Sequence, residues 1–307
     1  AAMEEVTRLV SAGDCVKIWD AVSMAPLEQF NPHSSSHPVA QACWSSNSIL
    51  MDGCSCQRVA DDHKEEVTCV SFNANDSYVA SGSTSGDLVL HSLTTNMSTR
   101  AFGHGSNQGP CSCAPHEHPL VLPLQPIHDL RLSMVKRSLL GSISDSGTMV
   151  LWDSNTQREL HMFDSAHKAP GSGLAFSPTS DLLVVTVGLD KKIVCYDTAS
   201  KMLLLLAPPQ NNMTSVFVCR VLRAIRVESP LTSVDFMPDG TGLVVGSTQG
   251  KIYQYDLRNS SAPTRITVAH KTSVTCLRFQ SNTSRHKVAA GGFERRHGPF
   301  GFIRTCP

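Results

Sequence analysis

Apolar and polar residues alternate along several short stretches of the chain. In "TSVDFMPDGTGLVVGSTQGKIYQYDL" (residues 232–257), the alternating runs are interrupted by Pro-Asp-Gly and by Gln-Gly. An alternation of period two predicts β-strands with one buried face, and Gly, Pro and Asp mark the turns between them. This stretch therefore predicts a meander of antiparallel strands.

The same order of strands recurs along the chain. Runs that finish on an aromatic residue followed by Asp end at Asp20, Asp153, Asp197 and Asp256, and the related run "LVLHSL" has His91 at the aromatic position. A second apolar run, closed by a Gly- or Asp-bearing turn, precedes each of them. A fixed order that recurs at about 40 residues predicts a repeat architecture built from small antiparallel sheets.

These residues resemble the WD40 repeat family. Trp-Asp at a strand end is typical of that family, and so are the dipeptides before the next unit: Gly103-His104, Ala166-His167, Ala269-His270 and, in a weaker form, Asp62-His63. The resemblance implies an all-β propeller in which each repeat forms a four-stranded blade. The family form has seven blades, whereas this chain has material for about six, one of them incomplete.

The resemblance also implies hydrogen-bonded sets inside the blades, each made of His, Ser or Thr, Asp and an aromatic residue. A buried network of this kind fixes how the strands sit, because every polar group must find a partner. By position the sets are His167, Thr186, Asp190 and Tyr196; His104, Ser142 or Ser144, Asp145 and Trp152; and His270, Ser11, Asp14 and Trp19. We interpret these side chains as structural, and we expect no catalytic residues.

The last of these sets would join the two ends of the chain. The first unit begins in the middle of a blade, and the last recognisable unit, "AHKTSVTCLRFQ", is a first strand with no blade pattern after it. We therefore expect the N-terminal and C-terminal strands to pair in one sheet. Closure of this kind removes two exposed sheet edges.

Four segments depart from the repeat. Residues 53–60 leave a blade unfinished, residues 109–127 and 207–225 are surplus, and residues 281–307 have no blade pattern. We expect a propeller over residues 1–280, with the surplus segments irregular, and a disordered tail after it. Two explanations stay open for the departures: loops inserted on the propeller surface, or a gene model with a missing exon and translated intron.

The surplus segment 109–127 raises the question of metal binding. Side chains that zinc prefers occur at Cys111, Cys113, His116 and His118. However, Cys-x-Cys is tight for a tetrahedral site, no paired knuckle follows, and the pair Cys54 and Cys56 has the same weakness. We expect no metal and no other cofactor.

The composition limits the class of partner and the compartment. Of the 307 residues, 41% are hydrophobic, which is enough for a core, and the net charge of zero gives no field to collect nucleic acid or a membrane surface. No apolar run reaches the roughly 20 residues of a membrane span. The 11 scattered cysteines and the lack of a signal peptide predict the reducing cytoplasm. The first residue is not Met, which is consistent with a fragment.

Motifs for catalysis are missing from the sequence. It contains no Walker loop, no G-x-G-x-x-G between a strand and a helix, no G-x-S-x-G and no H-E-x-x-H. We therefore expect a scaffold and not an enzyme. Loops held by rigid strands, together with the mouth of the channel, would contact protein partners.

Some stretches resemble one branch of the family, the centrosomal WD40 adaptors. "FGHGSNQ" and His91-Ser92 in place of Trp-Asp are unusual among WD40 repeats and carry this resemblance. It implies a propeller that attaches to the centrosome and mitotic spindle. It also implies a C-terminal helical region, which we expect to be absent here, that binds the microtubule-nucleating γ-tubulin ring complex. The alternative is a general WD40 scaffold, such as the substrate receptor of a ubiquitin ligase.

Overall fold

The fold of the chain is given by a computed structural model. It describes residues 8–20, 23–30, 39–44, 63–95, 97–103, 125–136, 138–164, 166–180, 182–198, 201–202, 216–217, 220–259, 261–279, 287–292 and 300–304. All regular secondary structure within these ranges is β-strand, as the alternation of apolar and polar residues predicts.

The described strands form six small antiparallel sheets and one separate hairpin. Sheet 1 contains β1 (Arg8–Ser11), β2 (Val16–Asp20) and β3 (Pro26–Phe30). Sheet 2 contains β4 (Val67–Phe72), β5 (Tyr78–Ser83), β6 (Asp87–Ser92) and β7 (Ser98–Gly103). Sheet 3 contains β8 (Ile127–Leu132), β9 (Leu139–Ser144), β10 (Met149–Asp153) and β11 (Arg158–Phe163). Sheet 4 contains β12 (Gly171–Phe176), β13 (Leu183–Gly188), β14 (Lys192–Asp197) and β17 (Arg220–Arg226). Sheet 5 contains β18 (Leu231–Phe236), β19 (Gly242–Ser247), β20 (Lys251–Asp256) and β21 (Arg265–Val268). Sheet 6 contains β22 (Val274–Phe279), β23 (Lys287–Gly292) and β24 (Phe300–Arg304). The hairpin consists of β15 (Lys201–Met202) and β16 (Val216–Phe217).

Sheets 2 to 6 share one irregularity, which identifies them as repeats of one unit. In each, the register between the first and second strands shifts next to the first residue of the first strand: at Val67/Cys69, Ile127/Asp129, Gly171/Gly173, Leu231/Ser233 and Val274/Cys276. A bulge of this kind bends a strand and increases its twist. Its recurrence at one place shows that the repeat read from the sequence is also a structural repeat.

Sheets 2 to 6 lie side by side in chain order. The first strand of each sheet contacts the first strand of the next, and buried apolar side chains fill the spaces between neighbouring sheets. Burial of these side chains is the main favourable contribution to folding. The arrangement is the ring of sheets of a β-propeller, and the six sheets agree with the predicted count of about six blades.

The predicted closure of the ring is wrong. The strand that follows His270, β22, pairs with β23, where Leu277 lies opposite Ala290, and β23 pairs with β24. Among the described strands, sheet 1 contains only β1, β2 and β3. The physical reason is that β22 and β23 are close in the sequence, so bringing them together costs less chain entropy than bringing the two distant ends together.

Parts of the segments predicted to be irregular also form strands. Residues 287–292 and 300–304 complete sheet 6, so a disordered tail is wrong for these residues, and Val288 and Ala290 are buried there. Residues 220–225 belong to β17, the fourth strand of sheet 4. The strands at residues 287–292 and 300–304 could not be read as blade strands because the sequence around them has no repeat motif. Residues 53–60, 109–124 and 207–215 lie outside the described ranges.

Candidate functional site

The predicted set in sheet 4 is assembled as a chain of four side chains. His167 precedes β12, Thr186 lies on β13, Asp190 is in the next turn and Tyr196 lies on β14. His167 Nδ1–H donates to Asp190 Oδ1 at 2.8 Å, and Thr186 Oγ1 lies 2.8 Å from His167 Nε2. The Tyr196 hydroxyl oxygen lies 3.1 Å from Thr186 Oγ1. All four groups predicted from the sequence therefore meet inside one sheet.

The protonation states of these side chains favour a structural role for the network. Burial, the largest effect, lowers the pKa of His167, although the hydrogen bond that His167 donates to Asp190 acts to raise it, so the imidazole is neutral near pH 7. Burial acts to raise the pKa of Asp190, but hydrogen bonds from His167 and the Lys168 amide outweigh it and lower that pKa. Thr186 is 0% exposed. A Thr–His–Asp order can resemble a hydrolase triad, but here a substrate cannot reach the hydroxyl without opening of the sheet.

Two tryptophans make the equivalent contact in other sheets. The Nε1–H of Trp152 donates to Ser142 Oγ at 2.9 Å in sheet 3, and that of Trp19 donates to Ser11 Oγ at 2.9 Å in sheet 1. Trp152 is fully buried, whereas Trp19 is half-buried. The same hydrogen bond, from a tryptophan to a serine on the neighbouring strand, therefore occurs once in a fully buried and once in a half-buried position.

The assignment of Asp145 to the set in sheet 3 is not what the structure shows. Asp145 is exposed and accepts a hydrogen bond at 2.9 Å from His128 Nε2. Aligning the turns at their positive-φ residues places Ser146, and not Asp145, at the position of Asp190. Ser144 Oγ lies 2.9 Å from Ser146 Oγ, so the side chain of Ser144, the last residue of β9, bonds to the turn. The sequence suggested Asp145 because it is the acidic residue of this turn, but the turn geometry gives the position to the next residue, Ser146.

The set proposed across the chain ends is not assembled either. His270 precedes β22, and its Nε2–H donates to the carbonyl oxygen of Ala290 in sheet 6 at 3.1 Å, so it does not join Ser11 in sheet 1. Asp14 is exposed. This correction follows directly from the different pairing of β22. His104, assigned to sheet 3, lies outside the described residues.

Two further networks were missed in the sequence. In sheet 2, His63 Nε2 lies 2.7 Å from Ser81 Oγ, and the Asp-His pair that marks this unit is the signal that could have found it. In sheet 5, Ser229 Oγ–H donates to Gln249 Oε1 at 2.7 Å and lies 3.3 Å from the Tyr253 hydroxyl oxygen. No His marks the second network, so position within the repeat was its only available signal.

A separate polar cluster lies on the first strands of the sheets. Arg131 Nη2 and Asp129 Oδ1, both on β8, are 3.5 Å apart. Burial, the largest effect, acts to lower the pKa of Arg131, but the combined charges of the groups around it, Asp129 first and then Cys276 and Asp235, outweigh burial and raise that pKa. Asp235 is on β18 in sheet 5, which is not a neighbour of sheet 3. The first strands of sheets 3 and 5, β8 and β18, both lie against β12, the first strand of sheet 4.

Polar side chains of the first strands also bridge neighbouring sheets. Asp129 Oδ2 accepts a hydrogen bond at 3.0 Å from the Leu174 amide of sheet 4, and Asp235 Oδ2 accepts one at 2.8 Å from the Phe279 amide of sheet 6. Similar bonds to the next sheet are made by Ser71 with the Leu132 amide and by Thr68, Ser172 and Thr232 with the carbonyl oxygens of Ile127, Leu231 and Val274. These buried bonds fix how each sheet sits against the next.

Comparison with known proteins connects this geometry to a family. The family model described as "WD domain, G-beta repeat" matches residues 54–92 and 220–256. Human Protein NEDD1 is 40% identical over 338 aligned positions, which cover 92% of this chain and 46% of the human protein. The mouse protein is 40% identical over 94% of this chain and 47% of its own length, and the bovine protein is 41% identical over 92% and 46%.

Identity at this level over nearly the whole chain, together with two matched repeats, decides the family. The chain belongs to the WD40-repeat proteins. Within that family it is similar to NEDD1, and its repeated sheets are WD40 blades. A more distant match is to histone acetyltransferase type B subunit 2 of Candida glabrata, which is 23% identical over 72% of this chain and 49% of that protein.

The WD40 chain spans about half the length of the NEDD1 proteins it matches. The alignment with the human protein has 338 positions, more than the 307 residues of this chain, so the human protein has residues that lack a counterpart here. The family resemblance inferred from the repeat motifs is thereby confirmed, including its NEDD1-like branch.

The described part of this WD40 protein holds no candidate metal centre. Within those ranges, no group of three or more His, Cys, Asp or Glu side chains is placed to bind a metal ion. The residues considered for zinc lie outside the ranges: Cys54, Cys56, Cys111, Cys113, His116 and His118. The described ranges also include no helix with the length and apolar character needed to cross a membrane.

Asp235, on the first strand of sheet 5, is expected to make stability depend on pH. Burial, the largest effect, raises its pKa to about 6, against the Phe279 amide hydrogen bond and the Arg131 charge. The folded state therefore holds this proton more tightly than the unfolded chain, and stability falls as pH rises from about 4 to about 6. Since Asp235 keeps some accessible surface, we expect a loss of about 1–2 kcal/mol over this window.

The measurement is urea unfolding at several pH values for the wild-type chain and for Asp235→Asn. The variant is expected to lose stability at all pH values, because one amide loses its acceptor, but its decline between pH 4 and 6 should be shallower. Asp14→Asn, at an exposed carboxylate, is the matched control and should keep the wild-type pH profile. Parallel pH profiles for wild type and Asp235→Asn would contradict the proposed environment of Asp235.

Proposed function

We propose that this chain is the targeting propeller of an adaptor that brings the γ-tubulin ring complex to the centrosome and mitotic spindle. The observation that carries the proposal is the 40% identity to human NEDD1 over 92% of the chain. The unusual "FGHGSNQ" and His91-Ser92 stretches support the same branch of the family. Microtubule nucleation and spindle assembly are the processes that such an adaptor serves.

A scaffold role without catalysis fits the chemistry of the described residues. The one arrangement that resembles a catalytic triad, Thr186 with His167 and Asp190, is buried and fully used within its own blade. Rigid sheets present their connecting loops at the two faces of a propeller, which suits recognition of other proteins. We therefore propose that the chain acts by binding protein partners in the cytoplasm, without a cofactor, and does not bind nucleic acid or membranes.

Recruitment of the nucleating complex is assigned to a different region. The relatives extend well beyond the matched part, since that part makes up 46–47% of their length. We propose that the propeller supplies attachment to the centrosome and spindle, and that the γ-tubulin ring complex is bound by a C-terminal region of the longer family members. The propeller alone would then reach the centrosome without carrying the nucleator.

Purification of partners from mitotic extract tests this division of labour. The tagged 307-residue chain is expected to recover centrosomal or spindle proteins, identified by mass spectrometry, at least about tenfold over an unrelated WD40 propeller with the same tag. γ-Tubulin is expected at background level. In fixed mitotic cells, the same chain should concentrate at the spindle poles.

Two outcomes would count against the proposal. Recovery of ubiquitin-ligase subunits with no spindle or centrosomal component would favour the general scaffold alternative. Stoichiometric recovery of γ-tubulin by this chain would show that the propeller itself binds the nucleating complex, which contradicts the assignment to the C-terminal region.

A further inference from the structure

The spacing Arg-x-x-Ser occurs four times in this chain, at residues 8–11, 226–229, 258–261 and 278–281. One class of protein kinases phosphorylates serine at this spacing, because an acidic pocket of the kinase pairs with the arginine three residues before the acceptor. A motif this short selects no site by itself. Burial selects among the copies, because a kinase needs a hydroxyl on an exposed segment that can open locally.

Two of the four serines are enclosed within blades. Ser11 is 6% exposed, and its Oγ accepts the Nε1–H of Trp19 at 2.9 Å. Ser229 is 1% exposed, and its Oγ–H donates to Gln249 Oε1 at 2.7 Å. A kinase cannot reach either hydroxyl unless part of a sheet unfolds. Ser281 lies outside the described residues.

Ser261 is the exposed copy of the motif among the described residues. It lies in the loop between β20 and β21 of sheet 5, where its Oγ–H donates to Asn259 Oδ1 at 3.1 Å. The side chain of Arg258 is 77% exposed. The acceptor hydroxyl and the arginine that a kinase would recognise are therefore both on the surface.

This loop is held by hydrogen bonds within its own hairpin. The Thr264 amide donates to the Gln254 carbonyl oxygen at 2.7 Å, and the Asn259 amide donates to that of Asp256 at 3.2 Å. Within the described ranges, the hydrogen bonds of residues 258–264 do not reach another sheet. A loop held in this way can open without disturbing the buried core, so it can enter the cleft of a kinase.

Bracing of the turn is the simplest explanation for Arg258. Its guanidinium pairs with Asp256, with Nη2–Oδ2 at 2.8 Å and Nε–Oδ1 at 3.0 Å, and these hydrogen bonds lower the pKa of Asp256 to about 2. Ion pairs at the surface are screened by salt and contribute little to stability, so the carboxylates of a kinase pocket can replace Asp256. The two explanations differ in what they require: bracing needs both partners, whereas recognition by a kinase needs only Arg258.

We propose that Ser261 is a phosphorylation site for a protein kinase that recognises Arg258. Ser261 Oγ forms a bond to the γ-phosphorus of ATP while the bond from that phosphorus to the bridging oxygen of ADP breaks, and the hydroxyl proton passes to the catalytic aspartate of the kinase. The product carries about −1.5 to −2 charges near pH 7. Ser261 lines a groove together with Arg223 and Arg258, so the modification lowers the positive charge of this groove.

Phosphorylation of the purified 307-residue chain in vitro tests the proposal. The enzyme is the catalytic domain of a calmodulin-dependent protein kinase, which prefers arginine three residues before serine, supplied with Mg²⁺ and ATP. Tandem mass spectrometry is expected to find a phosphoryl group on Ser261 and not on the adjacent Ser260. Ser261→Ala is expected to remove it.

Three variants separate recognition of Arg258 from bracing of the turn, with far-UV circular dichroism as the folding check. Arg258→Gln is expected to lower the initial rate at Ser261 at least about tenfold, because the charge that the kinase recognises is lost. Asp256→Asn breaks the same ion pair but keeps the arginine, so the rate is expected to stay the same or rise. Arg158→Gln removes an exposed arginine from β11 in sheet 3 and is expected to leave the rate unchanged.

Several results would overturn the proposal. These are no transfer to Ser261, transfer to Ser11 or Ser229 at the same rate as to Ser261, equal rates for Arg258→Gln and the wild type, and an equal loss of rate in Asp256→Asn and Arg258→Gln. The last result would mean that the arginine acts only by bracing the turn. The proposal does not depend on the location of the chain in the cell, so its failure would leave the recovery of centrosomal proteins untouched, and the reverse also holds.

Discussion

Replacing Trp152 with alanine is expected to lower the free energy of unfolding by about 3–5 kcal/mol. Trp152 is 0% exposed and packs in the apolar cluster between sheets 2 and 3, with Leu140 and Val150 among its neighbours. Its removal leaves a cavity that the surrounding strands can fill only in part. It also leaves Ser142 without the indole donor at 2.9 Å.

Urea unfolding followed by circular dichroism measures this effect, and Trp19→Ala is the matched control. Trp19 makes the same 2.9 Å bond to a serine but is only half-buried, in sheet 1. We expect its replacement to cost less than half as much as that of Trp152, because less surface and a smaller cavity are involved. An equal or larger loss for Trp19→Ala would contradict the burial described for the two blades.

Gly147→Ala is the second substitution with a large expected effect, about 2–4 kcal/mol of destabilisation. Gly147 has φ of 79°, where a side chain is strained, and its carbonyl oxygen accepts the His167 amide hydrogen bond at 3.1 Å. A β-carbon at this position would overlap the carbonyl oxygens of His167 and Ala169. The turn of sheet 3 would therefore have to move away from the segment that leads into sheet 4.

The control for Gly147→Ala is the equivalent turn in sheet 4. Lys191 has φ of 64° and already carries a side chain, so Lys191→Gly creates no overlap and should change stability by less than about 1 kcal/mol. Thermal unfolding of both variants distinguishes steric overlap from a general sensitivity of the turns. Equal midpoints for Gly147→Ala and the wild type would show that the turn of sheet 3 does not contact the following blade as described.

The sheet 4 set illustrates what could be predicted from the sequence. The His before the blade, the Thr on its second strand and the Asp in its turn stand at fixed distances, so the repeat alone located His167, Thr186 and Asp190. The structure brings these side chains together as the position in the repeat implied. The Ser142 and Trp152 pair was found in the same way.

Other features depended on information that a repeat pattern does not contain. The partner of β22 is decided by competition between a nearby strand and a distant one, and the low entropy cost of pairing strands that are close in the sequence favours β23. Asp145 was misassigned because a turn can shift by one residue without changing its composition. The network of Ser229 and Gln249 contains no His, so the His that marks other repeat units gives no signal for it.

The side-chain hydrogen bonds between neighbouring sheets could not be predicted from the sequence either. Asp129 and Asp235 lie in alternating strands whose other residues are ordinary for a blade, and nothing nearby marks them as special. Their role depends on which backbone amide of the next sheet lies opposite, and that is decided only when the sheets pack. Long-range contacts of this kind are the part of the propeller that single-blade patterns cannot specify.

The central claim is that successive WD40 blades stand side by side and that sheet 6 is built from β22, β23 and β24. An experimental structure of the chain tests this most directly, and the decisive observation is the partner of β22. We predict that Leu277 lies opposite Ala290, with the Asp235 carboxylate bonded to the Phe279 amide. A map that places β22 beside β1, or that separates sheets 5 and 6, would contradict the account.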